Sequence, residues 1–466
     1  MSGQEEIENY SERVASLLRD KGIRLFSRLR FKYKGRVLEG ILLPRPQYGD
    51  KDVLVVKLDN GYNIGVHIDE IHELTLVKHE GRRERAEERF KIRKGLPSVA
   101  VIGTGGTIAS RVDYVTGAVY PSLSPKDIYD LVPELTELAE LRTEELFNIF
   151  SEDMQPKYWE LVARRVLSYF KEGVKGVIIA HGTDTMGYTS AALSFMLRGL
   201  PGPVVLVGAQ RSSDRPSSDT ALNMLSATIV SVNAPFGEVV VVMHGSTNDE
   251  YCLVHRGTKV RKCHTSRRDA FRSVNAFPIA VVTKEGMSML VKEYNPRCDV
   301  DELRVEGGFD EKVALIKFYP NMDPGIIEYL VDKEYHGIVL EGTGLGHVRR
   351  ELLRPLARAA KDGIAVVMTS QCLWGRVNLN VYRRGVELLK IGVIPGEDML
   401  PETAYVKLMW VLARARDIDE VRKLMLTNIA YEIDRRSLYE YYPPVIDRKY
   451  LKKVLKRNRG KDVNKS

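Results

Sequence analysis

Two apolar runs in this chain each end in a turn that carries hydroxyl groups, and the second also carries a carboxylate. The first, Val99–Ala109, reads Val-Ala-Val-Ile-Gly-Thr-Gly-Gly-Thr-Ile-Ala; the second, Val177–Gly187, reads Val-Ile-Ile-Ala-His-Gly-Thr-Asp-Thr-Met-Gly. Glycine after a buried strand lets backbone N–H groups turn toward a ligand with no Cβ in the way. The first turn reaches Thr107 and the second carries Thr183 and Asp184, so two hydroxyls and a carboxylate could converge. In an open α/β sheet the carboxyl ends of the strands line the ligand crevice, so both turns reach one site if their strands are neighbours. Two plainer readings stand beside this one. The first turn could hold a phosphate, although it lacks the P-loop pattern and has Ile108 where the dinucleotide fingerprint needs its third glycine. Thr183 and Asp184 could simply cap the helix that follows.

The elements that must position these residues follow from periodicity. Apolar runs at Ser98–Ile102, Val174–Ala180, Val204–Val207 and Val239–Met243 alternate with helical patterns near Lys157–Phe170 and Thr185–Leu197. Strands apolar on both faces and separated by helices predict a mostly parallel α/β sheet. A second series follows, with strands at Val313–Phe318, Gly337–Leu340 and Ile364–Thr369, helices near Gly325–Leu330 and Leu352–Lys361, and further helix after Leu400. Ahead of all this, Glu5–Asp20 has apolar residues at helical spacing. Alternating runs at Gly35–Leu43, Val53–Leu58, Tyr62–Ile68 and Ile71–Val77, with an Asp59-Asn60-Gly61 hairpin turn, predict a small β-barrel.

The expected organisation is therefore an N-terminal helix plus small β-barrel over 1–78 and a charged linker over 79–95. An α/β subdomain with the active site spans 96–300, a second α/β subdomain 301–440, and a basic tail 441–466. At 466 residues, two or three domains are expected. With 44% hydrophobic and 28% charged residues the composition is that of an ordinary globular protein. No signal-peptide pattern opens the chain and no apolar run is long enough to cross a membrane, so a soluble, cytoplasmic protein is expected. The four cysteines, Cys252, Cys263, Cys298 and Cys372, have neither metal-site nor disulfide-scaffold spacing and read as free thiols; no metal site is expected. The net charge of +8, with a basic run from Arg448 to Lys465, permits attraction to RNA and equally suits a solvated chain end.

The two turns together make a specific signal. Thr-Gly-Gly-Thr-Ile at Thr104–Ile108 and His-Gly-Thr-Asp-Thr-Met at His181–Met186 resemble the two signature motifs of the L-asparaginase family. The resemblance runs from Pro97 to about Lys423 and includes Ser151–Met154, Val207–Ala209, Phe271–Asn275 and Gly337–His347. It implies a two-subdomain asparaginase-like body with Thr107 as nucleophile and a proton path of Thr183, Asp184 and a lysine. Counting back from Phe271–Asn275 places that lysine at Lys262, with Lys259 the neighbouring competitor. A lysine accepts a proton only as the free amine, so such a role requires burial. By the same resemblance Ser151 binds the substrate carboxylate, and Asp184 also anchors its ammonium. Glu152 stands where many relatives have glutamine. A mobile tyrosine follows the first motif, for which Tyr114 is the better match and Tyr120 the rival. His347 replaces an asparagine common in the family and reads as structural or functional. Relatives complete their sites where two copies of the chain meet, which implies a homodimer.

An asparaginase needs no β-barrel or charged linker. That extension, with Gly-Thr-Gly-Leu-Gly-His-Val at Gly342–Val348 and Ser370–Arg376, resembles the glutaminase subunits of archaeal glutamyl-tRNA(Gln) amidotransferases. This implies hydrolysis of glutamine and delivery of ammonia to a partner, the amidotransferase's E-type subunit, which binds misacylated tRNA(Gln) and uses ATP and Mg; no cofactor is then expected in this chain. Two other readings compete: a stand-alone L-asparaginase with an added domain, and a tRNA-binding scaffold with a vestigial amidase site.

Overall fold

The structure, a computed structural model, describes residues 9–45, 49–58, 63–79, 95–106, 110–112, 119–121, 128–129, 132–211 and 218–442. The Asp59–Gly61 turn, nearly all of the expected linker and the basic tail lie outside them.

The N-terminal region begins with α1 (Glu12–Asp20), shorter than the periodicity predicts because Ser11 caps it, its side chain accepting from Val14 N at 3.2 Å. Five strands follow: β1 (Ser27–Tyr33), β2 (Arg36–Leu42), β3 (Val53–Leu58), β4 (Asn63–His67) and β5 (Ile71–His79). They form one antiparallel sheet in the order β4-β3-β2-β1-β5. Leu29, Phe31, Leu42, Leu54, Val56 and Val66 face a core that also takes in Val14 and Leu18 of α1. Alternation is the reason: with a side-chain period of two, one face of each strand is apolar and one is wet.

The chain divides into two compact units. The first takes in residues 1–273, 278–311 and 409–414, the second 274–277, 312–408 and 415–466. In the first unit β6 (Ser98–Gly103) precedes a short hairpin of β7 (Ser110–Val112) and β8 (Val119–Pro121). The series continues with β9 (Glu140–Glu145), α2 (Pro156–Lys171), β10 (Gly176–Ala180), α3 (Met186–Met196), β11 (Leu197–Arg198), β12 (Val204–Val207) and α4 (Thr220–Asn233). Then come β13 (Val239–His244), β14 (Cys252–Arg256), β15 (Val260–Lys262), β16 (Phe271–Ser273), β17 (Ala280–Thr283), β18 (Gly286–Met289) and β19 (Arg304–Val305). The main sheet has the order β18-β17-β14-β13-β12-β10-β6-β9, parallel from β13 to β9 and antiparallel from β14 to β18. β10 lies inside it, between β12 and β6, with Val177, Ile178, Ile179 and Ala180 all fully buried, which explains its uninterrupted apolar run. Each such aliphatic side chain contributes about 1.5–3 kcal/mol on burial.

The second unit is built on a parallel sheet of β20 (Val313–Lys317), β21 (Gly337–Gly342), β22 (Ala365–Ser370) and β23 (Ile394–Pro395). Helices α5 (Gly325–Asp332), α6 (Leu353–Lys361) and α7 (Arg383–Lys390) contribute to its core through Ile327, Leu356 and Leu388. Two more helices follow, α8 (Pro401–Leu412) and α9 (Ile418–Leu426). Lys407 of α8 is fully buried, and burial pulls its ammonium below the usual lysine range while Glu432 opposes that shift. Its Nζ donates to Met425 O (2.9 Å), Thr427 O (2.6 Å) and Glu432 Oε1 (2.5 Å). Glu432 also accepts from Ile429 N and Ala430 N. A buried pair satisfied in this way is costly to break from one side, because a lone charge is left in the core. Lys407→Met is therefore expected to destabilise the protein by about 3–5 kcal/mol, read as a lower denaturation midpoint. The double variant Lys407→Met with Glu432→Gln is expected to recover part of that loss.

Candidate active site

β6 and β10 are neighbours in parallel register, with Gly103 opposite Ala180, so their two turns leave the sheet side by side. Thr104 fastens them: its N–H and its hydroxyl both donate to Ala180 O, at 3.0 and 2.9 Å. The first turn needs glycine twice. Gly105 (φ 104°) and Gly106 (φ 91°) take backbone angles that side chains avoid. A Cβ on Gly105 would lie 2.1 Å from Ile149 O, and one on Gly106 would lie 2.5 Å from Gly182 N. The two turns thus touch backbone to backbone.

The segment around residue 150 closes the third side. Ser151 is buried and packs on Gly182, where an added Cβ would meet its Cβ at 2.7 Å; its carbonyl accepts from Thr185 Oγ1 at 2.6 Å. Glu152 is exposed, with Oε2 3.5 Å from Ser151 Oγ. Beyond the second turn, α3 begins against β15, since Gly187 lets Val260 O approach. Ser190 of the same helix donates to Gly257 O at 2.7 Å. That packing delivers Lys262 from the end of β15. Its Nζ donates to Thr183 Oγ1 at 2.9 Å and to Asp184 Oδ1 at 2.8 Å. Lys262 and Thr183 are largely buried, whereas the Asp184 side chain is 69% exposed in the single chain. Lys259, the competitor, is completely buried three residues earlier.

The structure therefore brings Thr183, Asp184 and Lys262 into contact and sets Ser151 against the turn that holds the first two. Thr107 and Tyr114 lie outside the described residues; Tyr120 lies in β8 opposite Arg111. In the second unit, His347 is half-buried with its ring edge-on to Tyr382 at 5.3 Å, and burial together with Arg384 lowers its pKa. Among the described residues, Asp50, Asp52 and His67 could offer metal-ligand atoms within 4.8 Å of one another. His67 Nδ1 accepts from Asp69 N, Asp50 Oδ1 accepts from Asp52 N, and Asp52 accepts from Ser11. The four cysteines are free, and burial pushes the Cys252 thiol up to about 12. Among the described residues, no helix is long and apolar enough to cross a membrane.

Sequence reasoning missed two supports of this site. Asp219, fully buried, accepts from Gln210 N, Arg211 N and Asn223 Nδ2, each at 3.0 Å, and so fixes the turn that follows β12. Its i, i+4 spacing to Asn223 at the start of a helical stretch was the available signal. His181 belongs to the quoted motif, yet nothing in the sequence states what its ring bonds to; it is buried, and burial holds its pKa at about 4.

Three family models match the chain: "Asparaginase, N-terminal" over residues 98–294, "Glutaminase/Asparaginase C-terminal domain" over 312–425, and "GatD N-terminal domain" over 23–77. Among solved structures, the thermostable L-asparaginase from Thermococcus kodakarensis aligns with a TM-score of 0.65 at 36% identity, covering 73% of this chain and all of that one. The L-asparaginase I of Vibrio cholerae aligns at 0.63 and 28% identity, over 73% of this chain and 99% of that one. Together these define the class, an asparaginase-type α/β body behind an added N-terminal domain. The D-type subunit of the glutamyl-tRNA(Gln) amidotransferase of Thermofilum pendens is 50% identical, over 94% of this chain and 99% of its own length. That of Pyrococcus furiosus is 54% identical, over 90% and 97%. The chain belongs to this family, the D-type subunits of glutamyl-tRNA(Gln) amidotransferases.

Buried neutral histidines give the fold a pH signature. His255 is fully buried, its Nδ1 2.8 Å from Ser273 Oγ, and desolvation, aided by Arg272, lowers its pKa from 6.5 to about 3. As pH falls below 6.5, the unfolded chain takes up a proton that the folded chain refuses, so stability is lost until the folded pKa is reached. His255→Asn is expected to flatten the fall of the thermal midpoint between about pH 6.5 and 4, measured by calorimetry. An unchanged slope would contradict the assignment.

Proposed function

We propose that this chain is the glutaminase subunit of a tRNA-dependent amidotransferase, using Thr107 as nucleophile. The observation that carries the chemistry is the contact of Lys262 with both Thr183 and Asp184 beside the two-glycine turn that leads directly into Thr107. Thr107 Oγ attacks the side-chain amide carbon of glutamine, and its proton passes through Thr183 toward Lys262. Backbone N–H groups of the two turns stabilise the oxyanion. The C–N bond breaks as the nitrogen receives a proton, ammonia leaves, and water releases glutamate from the acyl-threonine. Ser151 reads the substrate α-carboxylate and Asp184 its ammonium. Glu152 adds negative charge beside that ammonium, and Tyr114 closes over the substrate.

The amidotransferase setting is supported by coverage. Relatives of that name match 87–94% of the chain, whereas the solved asparaginases of Thermococcus kodakarensis and Vibrio cholerae match 73%. Ammonia then passes to a separate E-type subunit, which binds the glutamyl-tRNA(Gln) and consumes ATP with Mg; this chain itself uses no cofactor and works in the cytoplasm. The exposure of Asp184 favours a site completed by a second copy, hence a homodimer. The asparaginase structures favour a second reading, a stand-alone L-asparaginase.

The two readings part in an ammonia-release assay on glutamine and asparagine, run with and without the E-type partner and charged tRNA. Stimulation of glutamine hydrolysis by both is expected; strong asparagine hydrolysis indifferent to either would favour the second reading. Thr107→Ala is expected to abolish ammonia release with the fold retained, and wild-type turnover would reject it as nucleophile. Lys262→Ala is expected to cost at least about 100-fold in kcat; a loss of less than about tenfold would remove it from the proton path.

A further inference from the structure

Behind the second turn a chain of three buried side chains reaches from α2 to the catalytic edge. Trp159 Nε1 lies 3.1 Å from Thr189 Oγ1, Thr189 Oγ1 lies 2.9 Å from His181 Nε2, and His181 Nδ1 lies 2.6 Å from Gly182 O. The directions follow from the two ends of the chain. An indole N–H can only donate, so the Thr189 oxygen accepts it and keeps one hydrogen to give. A carbonyl can only accept, so the ring hydrogen of His181 sits on Nδ1 and is donated to Gly182 O. The neutral ring then has Nε2 as an acceptor, and the Thr189 hydroxyl donates to it. His181 and Thr189 are fully buried and Trp159 nearly so, which shields the three from bulk water.

Gly182 O belongs to the peptide whose N–H is that of Thr183. No peptide bond among the described residues is cis, and in a trans peptide the carbonyl and the N–H point in opposite directions. Drawing the carbonyl inward onto His181 turns the Thr183 N–H outward, away from the imidazole. Among the described residues it meets no hydrogen-bond acceptor.

We infer that Trp159, Thr189 and His181 are positioning residues that lock the Gly182–Thr183 peptide so that the Thr183 N–H is presented to the oxyanion formed during amide cleavage. None of the three is a catalytic residue; they act through a backbone group. The inference rests on the amidase reading above. A donor aimed at charge that develops only in the transition state raises kcat and leaves substrate binding nearly untouched. Losing the lock lets the peptide rotate and forfeits that donor.

The test uses the full chain. Thr189→Val keeps the shape and removes the hydroxyl, and is expected to lower kcat by about 100-fold with KM little changed, the scale of one lost oxyanion donor. Thr189→Ser keeps the hydroxyl and is expected to restore most of the rate. Trp159→Phe removes the indole donor together with some buried ring volume and is expected to fall between the two. Independently of turnover, the ring 15N spectrum of His181, identified by its loss in His181→Asn, is expected to show a neutral imidazole protonated at Nδ1. A ring protonated at Nε2, equal losses in the valine and serine variants, or a kcat unchanged by Thr189→Val would each overturn the inference while leaving an active wild type, and so the amidase reading, intact. A wild-type chain that releases no ammonia, with or without its amidotransferase partner, would sink both.

Discussion

Everything at the catalytic edge depends on two stretches of backbone approaching more closely than any side chain would allow. Gly106 and Gly182 meet where a single Cβ would fall 2.5 Å from a neighbouring backbone atom. The parallel pairing of β6 and β10 brings them there, and Thr104 secures the junction through Ala180 O. Ile149 and Ser151 pack into the remaining sides, so three sequence-distant segments share one small volume. Such a junction is indifferent to side-chain chemistry at its centre, and it is rigid because its donors and acceptors belong to the sheet itself.

That rigidity also explains the division of labour around the turns. The polar groups in mutual contact, Thr183, Asp184 and Lys262, come from the turn after β10 and from β15, whose position is set by the packing of α3 at Gly187 and Ser190. Lys262 is largely shielded while Asp184 stands open in the isolated chain. The neutral, buried His181 has its ring tied to backbone and helix.

Where a segment is buried on both faces, sequence and structure agree closely: Val204–Val207 is the strand that its apolar run predicts, and Ser98–Ile102 and Val239–Met243 grow by one residue. Other elements were harder to read. β1 alternates in the required way at Leu29, Phe31 and Tyr33, but four of its seven residues are basic or serine. α4 carries Thr220, Asn223, Ser226, Thr228 and Ser231 buried among its apolar residues, so neither a polar face nor an apolar stripe stands out. The antiparallel half of the main sheet, β14 to β18, lacks the intervening helices that betray a parallel strand. At the site, the two turns were legible as glycine-bearing strand ends. The lysine was reached only through family resemblance, because its place depends on how one helix starts against a remote strand.

The glycine junction also determines where this architecture can change. A loop whose central positions admit no side chain has nothing with which to measure the length of a substrate. The surfaces able to register a difference between two ligands are those around Ser151 and Glu152 and those brought by neighbouring elements. Those surfaces can therefore change while the glycine junction stays fixed.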